Sequence, residues 1–205
     1  MANTRQTNDS TSDTAAAFPG YPKTVRLEDG SSATLRLMTP ADRDGVLKFA
    51  RSLPEDDLLY LRTDITDPKV LYEWIDNLKQ QRTVTVLAEG SKGEGIIGYG
   101  SLHYNEANWT RHLGEIRIQA GTRTRGKGLG RHLARAVFEI ARGLGLQKIT
   151  ARMTPDQQGA RATFERLGFQ MEALLADFVI DRNGRTRDML VMSHDITGLT
   201  DRLDG

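Results

Sequence analysis

The sequence predicts an α/β domain in which a mixed, mostly antiparallel sheet of about seven strands is flanked by helices. Three observations carry that expectation. A front segment alternates apolar and polar residues about an Asp-Gly turn. Three strand-length runs then follow one another between Thr83 and Ala120, and the last of them feeds a glycine-rich loop that opens a helix. The 205 residues suit a single domain, since a chain of this size buries about 70% of its unfolded surface. The domain is expected over residues 21–197, with polar tails at 1–20 and 198–205. Residues 1–17 are Thr, Ser, Asn, Asp and Ala without an apolar face, a composition that cannot offset the entropy of ordering, so disorder is expected there.

Each element has a local reason. TVRLEDGSSATLRLMT reads as a hairpin over residues 24–38, turning at Asp29-Gly30. Thr39 and Pro40 supply an N-cap and a first-turn proline for a helix running to about Ser52, with Val46, Leu47, Phe49, Ala50 and Leu53 at helical spacing. PEDDLLYLRTD looks like a short acid-led helix. DPKVLYEWIDNLKQQ looks like a longer one, with Val70, Leu71, Trp74, Ile75 and Leu78 on one side. TVTVLAEG, EGIIGYGSLHY and HLGEIRIQA are strands. A helix follows with Leu129, Leu133, Val137, Ile140 and Leu144 on its stripe, then the strand KITARM. A second helix starts at the capping-box pattern of Thr154 to Gln157 and stops at Gly168. A last hairpin turns at Asn183-Gly184.

Composition removes several classes of function. A formal net charge of +1 argues against a protein built to hold nucleic acid. Zero Cys excludes disulfides, thiolate metal sites and a cysteine nucleophile. No apolar run approaches the ~18 residues of a membrane span and no secretory pattern opens the chain, so a cytoplasmic protein without membrane contact is expected. The histidines His103, His112, His132 and His194 lack metal-site spacing and are assigned to surface or core.

The most informative segment is GEIRIQAGTRTRGKGLGRHLARAV. Over residues 111–135 the basic residues are Arg111, Arg117, Arg123, Arg125, Lys127, Arg131 and Arg135, against Glu115 as the only acid. In a chain near neutrality, that excess beside a glycine-rich helix start implies a phosphate-bearing ligand. The loop nearly spells G-x-x-x-x-G-K-[ST] from Gly121, but Gly128 stands where the magnesium-binding hydroxyl belongs. Gly126, Gly128 and Gly130 also miss the G-x-G-x-x-G dinucleotide spacing.

The run Arg125-Gly126-Lys127-Gly128-Leu129-Gly130 resembles the acetyl-CoA signature R/Q-x-x-G-x-G/A of the GNAT superfamily of N-acetyltransferases. That superfamily's second signature, an Asn, then Ala, an aromatic residue and a terminal Gly-Phe, is resembled by Gln157, Ala160, Phe164 and Gly168-Phe169. The element order over residues 24–195 is similar to the superfamily fold, and the segment from Tyr21 to Arg62 resembles the opening of bacterial protein-lysine acetyltransferases.

The resemblance implies acetyl-CoA as acetyl donor, no metal, and a primary amine as acceptor, either a protein lysine or a small molecule, attacking the thioester directly in a ternary complex. It implies Arg123, Arg125, Gly126, Lys127, Gly128, Leu129, Gly130 and Arg131 around the pyrophosphate, backbone groups of Ile118 and Ala120 along the pantetheine arm, and Gln157 and Phe164 against the cofactor. Glu115 is the leading base, on the polar face that it shares with Arg117 and Gln119; the competing reading is a structural partner of Arg117. Phe164 stands where the superfamily often has a Tyr general acid, which leaves protonation of the thiolate to water or another donor. Gln157 reads equally as a helix cap. Glu55, Asp56 and Asp57 favour a helix start, and by resemblance border the acceptor site. The alternative class is a non-catalytic acyl-CoA-binding regulatory module.

Overall fold

The structure, a computed structural model, describes residues 18–58, 63–181 and 183–197. The expected tails at 1–17 and 198–205, and part of the short acidic helix, lie outside them. The front hairpin forms as β1 (Lys23–Arg26) and β2 (Ser32–Leu37). Pro40 opens a 3-10 turn (Pro40–Asp42), closed where Thr39 N donates to Asp42 Oδ2 at 2.8 Å, so helix α1 (Arg43–Arg51) starts three residues later than expected. The acid-led helix α2 is a single turn (Glu55–Leu58). Helix α3 (Pro68–Lys79) is capped by Asp67, whose side chain accepts from Lys69 N.

Strands β3 (Thr83–Gly90), β4 (Ile96–Tyr104) and β5 (Leu113–Ala120) form the expected meander. Helix α4 (Leu129–Gly143), β6 (Lys148–Met153), α5 (Gln158–Arg166) and the hairpin β7 (Gln170–Ile180) and β8 (Thr186–Asp195) complete the fold. The sheet has eight strands in the order β1-β2-β3-β4-β5-β6-β8-β7. Every pair is antiparallel except β5 with β6, because α4 carries the chain back over one face and only such a crossover sets two strands parallel.

The two faces hold separate cores. Leu129, Leu133, Val137 and Ile140 of α4, all 0–1% exposed, pack on β3, β4 and β5. Close approach there requires Gly100, where a Cβ would sit 3.0 Å from Val137 Cγ2. On the opposite face α1 and α3 cover Leu87 and Tyr99 with Phe49, Leu71 and Trp74. Ahead of β1, Phe18 and Tyr21 pack against the α4 core.

Candidate active site

The parallel pair is short, and that opens the sheet. Leu113, Gly114 and Glu115 face Lys148, Ile149 and Thr150; beyond them β5 stays paired only with β4 and β6 only with β8. The strands part into a wedge whose walls are unpaired backbone edges. Gly121 N donates to Ile97 O at 2.9 Å, so in the antiparallel alternation residues 119, 117 and 115 bond to β4, whereas the N–H and C=O of Ile118 and Ala120 turn into the wedge. Thr154, at the far end of β6, is 4% exposed and lines the same cleft, and its Oγ1 has no hydrogen-bond partner among the described residues. A buried hydroxyl left so is costly unless a ligand meets it.

At the mouth of the wedge the loop turns into α4. Gly128, the N-cap, has φ of 81°, a conformation that side chains resist; among the described residues no side chain caps the helix, which leaves its first N–H groups for a ligand. A Cβ at Gly126 or Gly130 would meet nothing within 4 Å, so these glycines clear space outside the fold. The positive excess read from the sequence is smaller in three dimensions. Lys127 pairs with Asp29 at 2.9 Å, Arg131 with Glu28 at 3.2 Å, and Arg125 with Asp57 of α2. The Ser31 hydroxyl and Lys127 together hold the Asp29 carboxyl well below the usual carboxylate range. Arg123 is exposed, while the Leu129 side chain is buried in the core and leaves only its backbone to a ligand.

Behind the wedge lies a polar floor. Tyr99, Ser101 and His103 of β4 stand opposite Gln119, Arg117 and Glu115 of β5 on one face. Arg117 Nε donates to Glu115 Oε1 at 3.0 Å, and Arg152 Nη1 of β6 lies 3.7 Å from Glu115 Oε2. His103 is held at both ring nitrogens, with Thr83 Oγ1 2.6 Å from Nδ1 and Ser101 Oγ 3.0 Å from Nε2. Thr85 accepts from Trp74 Nε1 at 3.1 Å, and burial pushes the Tyr99 phenol up to about 12. The cleft above this floor measures about 680 Å³ and is flanked by Glu73 and Trp74 of α3 and by Phe178, Ile180 and Arg187 of the last hairpin.

The fold thus gathers Glu115, Ile118, Gln157 and Phe164 around one cleft, while Ala120 and the loop from Arg123 to Arg131 follow at the end of β5, outside its lining. Gln157 Oε1 accepts from Thr154 N at 3.1 Å, so half of the capping box forms while the Thr154 hydroxyl does not complete it, and α5 starts after Gln157 rather than at Pro155. Phe164 is both cleft wall and core, packed edge-on to Phe169 with centroids 4.9 Å apart. Sequence reasoning missed Ser101, His103, Arg152 and Thr154. His103 and Glu115 lie far apart in the chain, and only the β4–β5 register sets them opposite each other.

Comparison with known proteins is consistent across sequence and structure. The family described as "Acetyltransferase (GNAT) domain" matches residues 33–170. The L-methionine sulfoximine/L-methionine sulfone acetyltransferase of Pseudomonas aeruginosa is 26% identical over 162 residues, 78% of this chain and 93% of that protein. The ribosomal-protein-S5-alanine acetyltransferase from Vibrio fischeri superposes with a TM-score of 0.70 at 17% identity, covering 84% of this chain and 96% of that one. The spermidine N-acetyltransferase from Vibrio cholerae, in complex with CoA and spermine, gives 0.66 at 21% identity, covering 80% and 95%.

Proposed function

We propose an acceptor class and a set of working residues for this chain, which belongs to the GNAT acetyltransferase family and takes its acetyl group from acetyl-CoA. The acceptor is a small primary amine of the amino-acid class. The carrying observation is the mixed charge of the cleft: Arg117, Arg152 and Arg187 line it together with Glu73, Glu115 and Asp181, an arrangement suited to a ligand that bears both an ammonium and a carboxylate. The name of the Pseudomonas aeruginosa relative, an acetyltransferase of two methionine analogues, agrees with that class.

The residues present fit the cofactor. The uncapped start of α4 and the glycines at 126, 128 and 130 offer the pyrophosphate backbone N–H groups, and Arg123, Arg125, Lys127 and Arg131 stand around it. The open edge at Ile118 and Ala120 would hold the amides of the pantetheine arm, and the Thr154 hydroxyl, without a partner among the described residues, would give the arm a further hydrogen bond. Gln157 and Phe164 shape that wall. Bound acetyl-CoA supplies the acetyl group as an activated thioester open to direct attack by the amine. Glu115 draws the acceptor ammonium to the floor of the cleft and assists its deprotonation. Its ion pairs with Arg117 and Arg152 make it an electrostatic anchor first and a proton acceptor second.

A protein lysine is a second reading, favoured by Phe178 and Ile180, which line the cleft at 59% and 70% exposure and offer an apolar rim to a longer acceptor. The test is a panel of free amino acids, polyamines and lysine peptides incubated with acetyl-CoA and analysed by mass spectrometry. Turnover concentrated on amino acids supports the first reading; turnover confined to peptides replaces it with the second. Tight CoA binding with no turnover on any amine would leave only a binding module.

A further inference from the structure

We propose that His103 is the terminal acceptor of the proton that the acceptor amine must lose, receiving it through the Ser101 hydroxyl. The inference rests on the acetyltransferase reading and adds a residue to it. Ser101, at 1% exposure, and His103 line the cleft, whereas Thr83, the neighbour of His103 across the β3–β4 ladder, does not. Thr83 Oγ1 sits 2.6 Å from Nδ1 and Ser101 Oγ 3.0 Å from Nε2. A hydroxyl both donates and accepts. With Thr83 accepting from Nδ1–H, Nε2 is free to accept from Ser101. Once the ring is protonated, both N–H groups still have an oxygen to donate to. The imidazole therefore changes charge without losing a hydrogen bond.

Its surroundings supply the reason that the proton ends there. Glu115 stands directly opposite His103 in the ladder, within reach of an imidazolium across the strands. That carboxylate is itself engaged by Arg117 at 3.0 Å and Arg152 at 3.7 Å. An unperturbed imidazole titrates near ~6.5, within the range where an enzyme acting at neutral pH needs its base. The ammonium gives one proton to Ser101 Oγ as the hydroxyl's own proton passes to His103 Nε2. The neutral amine then bonds to the acetyl carbon, the carbon–sulfur bond breaks, and the proton remaining in excess on nitrogen ends on the CoA sulfur. The imidazolium later returns its proton to solvent.

The test measures kcat, KM for the acceptor, acetyl-CoA affinity and the pH profile in wild type, His103→Ala and Thr83→Val. The acidic limb of the profile is read with Glu115, Arg117, Arg152, Glu73, Asp181 and Arg187 all facing the same cleft, so the variants must move it and not merely lower the rate. His103→Ala is expected to lower kcat by roughly 10², to leave acetyl-CoA affinity within about twofold and to regain part of its rate when free imidazole is added. Thr83→Val is expected to move the limb to lower pH, because the half-buried imidazolium loses an acceptor. Full activity in His103→Ala, or a loss that imidazole does not restore and that leaves the limb in place, overturns the relay. Absence of turnover in wild type overturns the relay together with the activity on which it rests.

Discussion

The loop at the mouth of α4 and the polar floor beneath the wedge serve one cleft but are built in opposite ways. The loop is continuous in sequence and depends on backbone: a left-handed Gly128, an uncapped helix start and glycines that clear space. The floor is discontinuous, assembled from single residues of β3, β4, β5 and β6, and depends on side chains bonded to one another. Binding of a cofactor common to many enzymes can be carried by a local motif. Recognition of a particular acceptor requires groups converging from several strands. Substitutions in the floor should therefore change turnover and leave cofactor affinity alone, and substitutions in the loop should do the reverse.

The largest expected effect is in the floor. Glu115→Gln keeps shape and removes charge, and is expected to lower kcat by about 10² to 10⁴-fold with acetyl-CoA affinity unchanged by calorimetry. A parallel loss of affinity would mean that the carboxylate, through Arg117 and Arg152, holds the edge of β5 in place, and the division between the two regions would fail. Next in size is Gly128→Val in the loop. At φ of 81°, and with Glu28 Oε1 3.0 Å from the place of a new Cβ, a β-branched residue is strained by about 1–3 kcal/mol or more. Acetyl-CoA should bind roughly 10 to 10²-fold more weakly, while kcat at saturating cofactor changes little.

Thr154→Val probes the wall between the two. Its hydroxyl is buried and unpartnered, so the isosteric change is expected to leave melting temperature equal or higher, removing a desolvation penalty of about 1 kcal/mol. Acetyl-CoA affinity is expected to fall about three- to tenfold, because the hydroxyl is satisfied only when the arm is bound. If stability drops instead, Thr154 has a partner in the free protein and does not contact the cofactor.

The same contrast explains what could be read in the sequence. Strand and helix identities were legible because each follows from local periodicity: KITARM forms β6 from end to end, and Asp67-Pro68 starts α3 as its capping chemistry requires. The Arg125–Gly130 loop was legible for the same reason. Helix starts at Pro40 and Pro155 were misplaced because a short 3-10 turn and a half-formed capping box use the residues that open an α-helix. The floor was legible only along β5, where Glu115, Arg117 and Gln119 share a face by strand alternation. His103 had no signal of its own in the chain, and its meaning comes from Thr83, Ser101 and Glu115, which only strand register brings beside it. The loop's charge was overstated for a related reason: Glu28, Asp29 and Asp57 are distant in sequence and adjacent in space.

That last point yields the smallest and most discriminating prediction. In the free protein Arg125 is bonded to Asp57, an ion pair that raises the already high guanidinium pKa through that hydrogen bond. A pyrophosphate seated at the start of α4 must share or replace Asp57 at that guanidinium. Two effects compete. The carboxylate repels the incoming anion, and it also fixes Arg125 in position before the anion arrives. The Arg125 side chain is 49% exposed, so solvent screens the pair and its worth lies in the range of about 0–1 kcal/mol. Repulsion extends to the whole anion, whereas prepositioning concerns one side chain already anchored by a short loop. Asp57→Asn should therefore tighten acetyl-CoA binding about two- to fivefold at low salt, with the difference fading as ionic strength rises. It should leave the Glu115-dependent rate untouched, since α2 contributes no residue to the cleft floor. Weaker binding in Asp57→Asn would show that prepositioning wins. The loop would then depend on converging side chains as the floor does, and the contrast between the two regions would narrow to one of degree.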